Sequence, residues 1–170
     1  MGPVRLNLGC GNKRLDGFIG LDLHPCEGAD VVGDLLRLPL ADDCAEEVLL
    51  DNVIEHVLDI PALLAEVRRV CRRGARVTIV TPHFTSQASW RDPTHVHHLS
   101  FFSMEHFAKP AARHYVGGGF ALRRKELRFS RSMLGRLGRL FFRISPETWE
   151  KQFCFVLRAR TLSFELEVLK

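Results

Sequence analysis

Short apolar runs bounded by turn residues dominate the first half of the chain. Each run contains or precedes a glycine, an aspartate or a proline. Runs of this length and setting are typical of buried strands in a parallel sheet. The predicted strands are Val4–Leu8, Phe18–Leu23, Asp30–Val32, Val48–Leu50 and Arg76–Thr81.

One clear helix separates the last two of these runs. Pro61–Arg72 repeats apolar residues at helical spacing from Leu63 to Val70, with arginines off that face. Gly74 predicts the end of this helix. Buried strands with an intervening helix indicate an α/β fold built on a parallel sheet.

The second half of the chain is less regular in its pattern. The pattern predicts five elements in order: a short helix with Ser103 as its N-cap, a strand, an amphipathic basic helix weakened by Gly135 and Gly138, a further helix, and an alternating strand. Their bounds are Ser103–Lys109, Phe120–Phe129, Met133–Arg143, the surroundings of Trp149–Leu157, and Thr161–Leu169.

Composition is that of an ordinary globular protein. The 170 residues are 46% hydrophobic and 26% charged, which suits a single domain over residues 1–170. No signal peptide or apolar run of membrane-spanning length stands out, and the five cysteines are an odd number without a CxxC pair. We therefore expect a cytoplasmic protein with reduced cysteines.

Charge is divided unequally along the chain. Residues 1–85 carry 9 Lys+Arg and 13 Asp+Glu, a net of −4, whereas residues 86–170 carry a net of +8. The basic segment 123–143 suggests contact with an anionic acceptor, an anionic lipid surface or RNA. A solvated face that balances the acidic half, or an interface in a homodimer, explains the same charge.

A glycine turn and three acidic groups follow successive predicted strands. Gly9 and Gly11 flank Cys10 after the first strand, but neither the third glycine of a nicotinamide fingerprint nor a Walker lysine follows. Acids come next at the strand ends, where ligands bind in open α/β sheets. They are Asp22, Asp34 and the pair Asp51-Asn52, all suited to accept hydrogen bonds from an adenosine that carries a positive group. Each is also a common turn or cap residue.

At these motifs the sequence resembles the class I S-adenosylmethionine-dependent methyltransferases. The resemblance rests on motifs that occur in order from residue 4 to 82, and is nearest to a small bacterial, type 11-like branch found near glycan-biosynthesis functions. That branch is similar also at Asp92–Phe107 and Ser163–Lys170. The motifs are LNLGCGN, GLDLHP, DVVGDLLRLPLADD and VLLDNVIEHV, followed by the helix–Gly74–strand unit.

The resemblance implies a Rossmann-like three-layer fold with a mainly parallel sheet and an antiparallel C-terminal strand. Residues 1–82 would form the cofactor half and residues 83–170 the substrate half. S-adenosylmethionine would be the cofactor, and transfer of its methyl group (EC 2.1.1.-) the activity. The implied cofactor residues are Gly9, Cys10 and Gly11 at the methionine and ribose, Asp22 at the ribose hydroxyls, Leu23 against the adenine, Asp34 and Leu35 at the adenine edge, and Asn52 at the methionine end, with His56 at the mouth.

Two departures from the family pattern concern length. Asn12–Gly17 is too short for the helix that usually follows the glycine turn, and the first strand begins near Val4. We expect the cofactor to be covered instead by the C-terminal half or by a second chain.

Histidines supply the candidate bases for deprotonating an acceptor. His56 and His95 are the catalytic candidates, and the remaining candidates face the substrate in this interpretation. A loop-holding role for the same residues is equally consistent with the sequence, and no metal is assigned, because no further acidic ligand is placed by spacing. The substrate-side candidates are His83, Asp92, His97 and His98.

The expected activity is methyl transfer to an oxygen or nitrogen of a small-molecule or glycan-type acceptor. The missing Asp/Asn-Pro-Pro-Tyr box argues against base-amino methylation of DNA, and Cys71, predicted within a helix, argues against a cytosine-C5 nucleophile. Two alternatives stay open: a non-catalytic binding or partner protein with the same fold, and an RNA methyltransferase.

Overall fold

A seven-stranded mixed sheet forms the centre of the computed structural model, which describes residues 4–109 and 118–170. The strand order is β3-β2-β1-β4-β5-β7-β6. The strands are β1 (Val4–Leu8), β2 (Ile19–Asp22), β3 (Val31–Val32), β4 (Ala45–Asp51), β5 (Cys71–Pro82), β6 (Phe120–Phe129) and β7 (Ala159–Val168). The α-helices are α1 (Ile60–Val70), α2 (Gln87–Arg91), α3 (Glu105–Ala108), α4 (Met133–Ile144) and α5 (Pro146–Thr148), with a 3₁₀ turn at Ile54–His56 and a π-helix at Trp149–Phe153.

Strand direction confirms the expected fold class. The five strands from β3 to β5 pair in parallel, and β7 pairs antiparallel with both β5 and β6. The parallel strands bury both faces in the middle of the sheet, which explains their continuous apolar runs. In β7 every second residue from Leu162 to Val168 is buried, as the alternating sequence predicts.

Helix α1 covers one face of the sheet through the apolar side that the periodicity predicts. Asp59 caps it by accepting from the amide of Ala62. The helix ends at Val70, so the expected end at Gly74 is wrong, and Cys71 begins β5 rather than lying inside a helix. Cys71 pairs with Ala45, while the next residue of β4 to be paired meets Arg76, so the intervening residues bulge out of the ladder. Gly74 takes its positive φ of 82° in that bulge.

The short helix α3 also differs from the prediction. It begins at Glu105 after Met104, which makes no side-chain cap bond. Ser103 is therefore not the N-cap. Its hydroxyl accepts from the amide of Ser100 and closes the preceding turn.

Helix α4 forms where the sequence predicts it, but it packs through its glycines. A Cβ on Gly135 would lie 2.3 Å from the carbonyl oxygen of Ser130, and one on Gly138 would lie 2.9 Å from the ring of Phe129. The leucine side of the helix consequently faces solvent. Phe141, on the same side of the helix as the leucines, is more than a third exposed for the same reason.

A second apolar cluster lies beside the main core, under α4 and α5. Trp149 is its largest member, and its ring nitrogen donates to the carbonyl of Leu157. The cluster also contains Phe129, Cys154 and Ala159. In the parts of the chain that the structure describes, we find no helix with the length and apolarity to cross a bilayer.

Candidate functional site

A cavity of about 770 Å³ opens at the carboxyl ends of β1, β2 and β4. Parallel strands end at the same edge of the sheet, so residues far apart in sequence meet there. Of the residues predicted to bind or react, seven line it: Gly9, Asp22, Leu23, Asp34, Leu35, Asn52 and His56. Leu36, Val53, Leu58 and Thr94 also contribute to its wall.

The turn after β1 forms the floor of the cavity, and it requires glycine at its first position. Gly9 has a φ of 64°, and a Cβ there would lie 2.5 Å from a methyl of Val53. The turn is tied on its far side as well. The side-chain amide of Asn7 donates to the carbonyl of Lys13, and the Gly28 amide donates to the carbonyl of Gly11. Backbone thus approaches the cavity where a side chain would fill it.

Two carboxylates stand on the cavity wall with acceptor capacity to spare. Asp22 Oδ2 accepts from the Gly11 amide at 2.8 Å, and Oδ1 accepts from the His24 amide at 3.2 Å. Asp34 Oδ1 accepts from the Leu36 amide at 2.8 Å. Each ionised carboxylate can accept further bonds, so both groups are held in place and still able to bind a ligand.

Exposed apolar side chains border these carboxylates. Leu23 is 56% exposed, and Leu36 and Leu58 are exposed as well. Single exposed leucines are ordinary, but three on one cavity wall form a surface that a flat apolar ligand would cover.

Asn52 closes the cavity at the end of β4 in a left-handed conformation, with a φ of 57°. Its backbone amide donates to the carbonyl of Val80 and its side-chain amide donates to Asp51 Oδ1. Lys13 holds the other oxygen of Asp51 at 2.6 Å. Such a strained position is common at binding sites and is tolerated best by asparagine among non-glycine residues.

A chain of three side chains orients His56 at the cavity mouth. The hydroxyl of Thr94 donates to Asp92 Oδ1 at 2.6 Å, so it accepts from His56 Nδ1 at 2.9 Å. Nδ1 therefore carries the proton, and Nε2 keeps its lone pair. Hydrogen bonds from Thr94 hold the pKa of the Asp92 carboxyl below its ordinary value.

His95 packs edge-on against His56, with 4.5 Å between the ring centroids. Its Nδ1 lies 3.0 Å from the carbonyl oxygen of Ser89, which can only accept. The same reasoning leaves His95 Nε2 with an open lone pair.

Glu55, like Thr94, lies beside His56 and was not singled out by sequence reasoning. It is 1% exposed, its Oε2 accepts from the hydroxyl of Thr81, and its Oε1 meets no partner among the described residues. Burial raises the pKa of this carboxyl above its ordinary value. Its position beside His56 was the available signal, but nothing in the local pattern indicated that a charged residue is buried there.

Residues 18–79 match the family model described as a methyltransferase domain. A chain described as a SAM-dependent methyltransferase from Archaeoglobus fulgidus superposes with a TM-score of 0.64 at 20% identity, over 98% of this chain and 86% of that one. The chain has the fold of the class I S-adenosylmethionine-dependent methyltransferases.

Two further matches show which activities occur in proteins with a similar sequence or a similar fold. Demethylmenaquinone methyltransferase of Mycobacterium marinum (strain ATCC BAA-535 / M) is 38% identical over 56 residues, 33% of this chain. The alignments span no more than 24% of the length of the curated relatives. The [4+2]-cyclase SpnF superposes with a TM-score of 0.65 at 13% identity, over 99% of this chain and 76% of that one.

S-adenosylmethionine, the cofactor of this class I fold, fits the residues present. Gly9 leaves room for backbone contact where a Cβ would collide with Val53. Asp22 and Asp34 provide acceptors for ribose hydroxyls and an adenine amino group, and Leu23 and Leu35 provide apolar walls.

Two residues of the glycine turn stand apart from the cavity lining. Cys10 is 5% exposed, and burial raises the pKa of its thiol to about 11. Gly11 acts through its amide, which holds Asp22 in position.

The remaining substrate-side histidines are separated from one another. His83 is fully buried between Thr85 and Glu150, with both ring nitrogens engaged. His98 stacks on the ring of Trp90 with 3.6 Å between centroids. His97 Nε2 lies 3.2 Å from the carbonyl of Leu58, on the wall of a different cavity. Among the predicted site histidines, His56 and His95 alone come together beside the cofactor cavity.

Proposed function

We propose that this protein is a methyltransferase that transfers the methyl group of S-adenosylmethionine to an oxygen or nitrogen of a small-molecule or glycan-type acceptor. The observation that supports this most directly is the single cavity that combines the turn at Gly9, the carboxylates of Asp22 and Asp34, and the oriented ring of His56. Bound there, the cofactor supplies a methyl group activated by a sulfonium.

In this proposal the carboxylates and the glycine turn hold the cofactor and orient it. Asp22 binds ribose hydroxyls through lone pairs that the Gly11 and His24 amides do not use. Asp34 and the Leu35 backbone bind the adenine edge. The negative charge of the wall favours a cationic ligand, and alignment of the reacting atoms is a large part of what such a site contributes.

His56 removes the acceptor proton in this proposal. Its Nε2 carries the open lone pair, and the Thr94–Asp92 chain stabilises the imidazolium that forms. His95, in contact with the His56 ring, is the second base candidate.

A neighbouring cavity offers room for the acceptor. It has a volume of about 590 Å³ and shares Leu58 with the cofactor cavity. Phe102 and Phe107 give it apolar walls, and His97 and Ser103 give it polar groups. Aromatic walls with a few polar groups suit a small molecule or a sugar ring. We assign the activity to the cytoplasm, where the free cysteines stay reduced.

Cofactor binding is tested by calorimetry with S-adenosylmethionine and S-adenosylhomocysteine on the wild type and Asp22→Ala. We expect the variant to bind at least about tenfold more weakly, since each lost charged hydrogen bond is worth roughly 1.5–3 kcal/mol. Asp16→Ala, at an exposed acid in the loop between β1 and β2, is the matched control. Equal affinity of Asp22→Ala and wild type would refute the cofactor site.

Methyl transfer itself is tested with labelled cofactor, a bacterial lysate as acceptor source, and mass spectrometry of the labelled product. His56→Ala should abolish most labelling and leave S-adenosylhomocysteine affinity within about threefold. The SpnF likeness shows that this fold also serves other reactions. Cofactor binding without any labelling would favour the non-catalytic alternative. Labelling of RNA, with steeply salt-dependent binding, would favour the RNA methyltransferase.

A further inference from the structure

Three groups beside the cofactor cavity converge as metal ligands do. One carboxylate oxygen of Glu55 and one ring nitrogen each of His56 and His95 lie within 4.8 Å of one another. Beyond Asp92, sequence spacing placed no further acidic ligand near His95. The fold supplies one from the 3₁₀ turn after β4, forty residues upstream.

The buried carboxylate is the first of two observations that point to a cation. Glu55 Oε1 has no hydrogen-bond partner among the described residues, although the side chain is almost fully buried. A buried acceptor without a partner is costly, and an unseen ion is one of its ordinary explanations. The other oxygen is held by Thr81, so the carboxylate is also fixed in direction.

The histidine tautomers are the second observation. His56 donates Nδ1–H to Thr94, and His95 donates Nδ1–H to the carbonyl of Ser89. Histidine ligands of metals almost always donate their other ring N–H to such a partner, which fixes the tautomer and aims the second nitrogen. Both Nε2 atoms are in that state here.

We propose that Glu55, His56 and His95 bind one divalent transition-metal ion. Two imidazoles and one carboxylate suit Zn²⁺, Mn²⁺, Fe²⁺ or Co²⁺ better than Mg²⁺, which prefers oxygen ligands. Three protein ligands leave coordination positions open, as in catalytic rather than structural sites. Because His56 and Thr94 line the cofactor cavity, the open positions suit an acceptor hydroxyl. Only this acceptor role rests on the proposed function.

The same nitrogen cannot bind a proton and a metal at once. In the metal-bound protein His56 is a ligand, and the ion lowers the pKa of a bound hydroxyl, so that the proton can leave to water. In the metal-free protein His56 is available as the base.

The site is tested by titrating chelator-treated protein with Co²⁺, followed by visible absorption and calorimetry. We expect one ion per chain, with an absorption band typical of nitrogen and oxygen ligands. His95→Gln and Glu55→Gln should each weaken Co²⁺ binding by more than about 100-fold. That is a larger effect than losing an outer partner, meaning a residue that only hydrogen-bonds to a metal ligand. Thr94→Val, which removes such a partner, should weaken it by about 10–100-fold.

His97→Gln is the matched control, because His97 lies two residues from His95 but outside the cluster. Thermal melting and S-adenosylhomocysteine affinity, measured on every variant, separate loss of the ion from loss of the fold or of the cofactor site. No Co²⁺ binding to the wild type, unchanged binding in both ligand variants, or equal loss in His97→Gln would overturn the proposal. Metal binding without methyl transfer would leave the metal site standing and count against the proposed function instead.

A different observation concerns the outer face of α4. Because the helix packs through Gly135 and Gly138, a stripe of large apolar side chains faces solvent. Its ends, Met133 and Ile144, are 75% and 76% exposed. The other members of this apolar stripe are Leu134, Leu137, Leu140 and Phe141, and Phe155 and Val156 continue it from the following loop.

Arginines border the apolar stripe along one side of the helix. Arg136, Arg139 and Arg143 recur at helical spacing, all are exposed, and α4 contains no acidic residue. No ion pair of α4 occurs among the residues that the structure describes. An apolar stripe flanked by unpaired cations is the pattern of a helix that lies in a membrane interface.

We infer that α4 docks on an anionic lipid surface. The stripe enters the boundary between headgroups and acyl chains, and the arginines contact lipid phosphates. The charge of the border favours this occupant over a second copy of the chain, since an antiparallel two-fold contact of the helices would bring arginines against arginines.

Co-sedimentation with vesicles tests the lipid surface. Vesicles of phosphatidylcholine and phosphatidylglycerol should retain the protein, and pure phosphatidylcholine should retain much less. Leu137→Asp should abolish retention, and Arg136→Gln and Arg139→Gln should each weaken it about fivefold at low salt. Arg73→Gln, an exposed arginine far along the chain from α4, is the control.

Absence of retention on anionic vesicles, or retention that Leu137→Asp leaves unchanged, would overturn the inference. The inference would also be overturned if vesicles retain nothing and the protein instead forms a dimer in solution that Leu137→Asp dissociates. Binding to RNA in place of vesicles would overturn it as well. Circular dichroism checks that each variant folds.

Discussion

Two separate effects disfavour any residue other than glycine at position 9, and the free-energy cost of each can be measured separately. Its φ of 64° disfavours any side chain, and a Cβ would lie 2.5 Å from Val53. Gly11 has a similar φ of 50°, but nothing lies within 4 Å of its Cβ position. The two glycines therefore share the conformational cost, roughly 1–2 kcal/mol, and differ in the collision.

We expect Gly9→Ala to weaken S-adenosylhomocysteine binding at least about tenfold and to destabilise the protein by more than the roughly 1–2 kcal/mol of the left-handed conformation. Gly11→Ala should cost only that conformational amount. Calorimetry and chemical denaturation check both, and equal losses in the two variants would show that Val53 moves aside freely.

At this scale the sequence predicts those site residues that lie at strand ends. Gly9, Asp22 and Asp34 follow apolar runs, and the parallel fold brings such ends together. Glu55 and His83 could not be placed this way. Their burial depends on Thr81 and Glu150, partners that no local pattern connects to them.

An ion pair within helix α1, between Glu66 and Arg69, holds the loop before β4 through hydrogen bonds, and its strength depends on pH. Glu66 Oε1 accepts from the Leu38 amide, and both oxygens accept from the Arg69 guanidinium. Arg69 also donates to the carbonyls of Leu38 and Leu40. The Arg69 hydrogen bonds hold the pKa of the Glu66 carboxyl below its ordinary value.

Glu66→Gln should destabilise the protein by about 1–3 kcal/mol at pH 7, the range for hydrogen bonds to charged groups. A lowered folded-state pKa gives stability that is fully present above the unfolded value near 4.5 and is lost as the pH falls through the folded value. The difference between variant and wild type should therefore shrink below about pH 4. Urea unfolding from pH 3 to 7 checks this, with the exposed Glu27→Gln as control, and a constant difference would contradict it.

The sequence predicts that the glycines inside α4 weaken that helix, so alanine in their place would stabilise it. Their packing predicts instead that alanine destabilises the protein. Alanine in a helix interior normally gains about 1 kcal/mol over glycine. At Gly135 the new methyl would meet backbone, 2.3 Å from the Ser130 oxygen. Gly135→Ala should thus destabilise the protein by about 1–3 kcal/mol.

Gly138→Ala should cost less, because its closest contacts, the ring of Phe129 at 2.9 Å and the carbonyl oxygen of Leu157 at 3.0 Å, are less tight than the 2.3 Å contact at Gly135. Thermal unfolding distinguishes the two, and a higher Tm for Gly135→Ala would show that α4 can move off the sheet. The periodicity predicted this helix correctly but not its buried side. A stripe of leucines and a stripe of glycines both satisfy helical spacing, and only the tertiary contacts decide between them.

Across the whole molecule, Glu150 connects the two apolar clusters. Its Oε1 accepts from the Phe101 amide at 2.9 Å and contacts His83 Nε2 at 3.0 Å. The Thr85 amide donates to His83 Nδ1, so Nε2 is the donor. Phe101 belongs to the main core, and His83 packs on Trp149 of the second cluster.

Glu150→Ala should destabilise the protein by about 2–4 kcal/mol, because two buried donors lose their acceptor. Glu150→Gln keeps an acceptor oxygen and should retain most of the stability. The exposed Glu147→Ala should stay within about 0.5 kcal/mol of the wild type. Denaturation by urea measures all three, and a small loss in Glu150→Ala would show that the clusters are held by apolar packing alone.

The architecture was more predictable than its details. Strand β1 is buried from Leu6 to Leu8 because both faces of the sheet are covered there, and β7 alternates from Leu162 to Val168 as the pattern of a half-buried strand predicts. The charge division coincides with this plan: the acidic half contains Asp22 and Asp34, and the basic half contains α4. The bulge at Gly74 and the turn at Ser103 escaped prediction, since both depend on neighbouring strands and loops.

The hydrogen bonds that hold the turn after β1 affect the rate of cofactor binding. Asn7, Gly28 and Asp22 already hold the turn from three directions. Since this turn does not have to be ordered at the moment of encounter, association escapes the entropy cost of immobilising it, and it should proceed within the ordinary range of about 10⁵–10⁷ M⁻¹s⁻¹. Differences in affinity among site variants should then appear almost wholly in the dissociation rate, and the lifetime of the complex becomes the quantity that the carboxylates control.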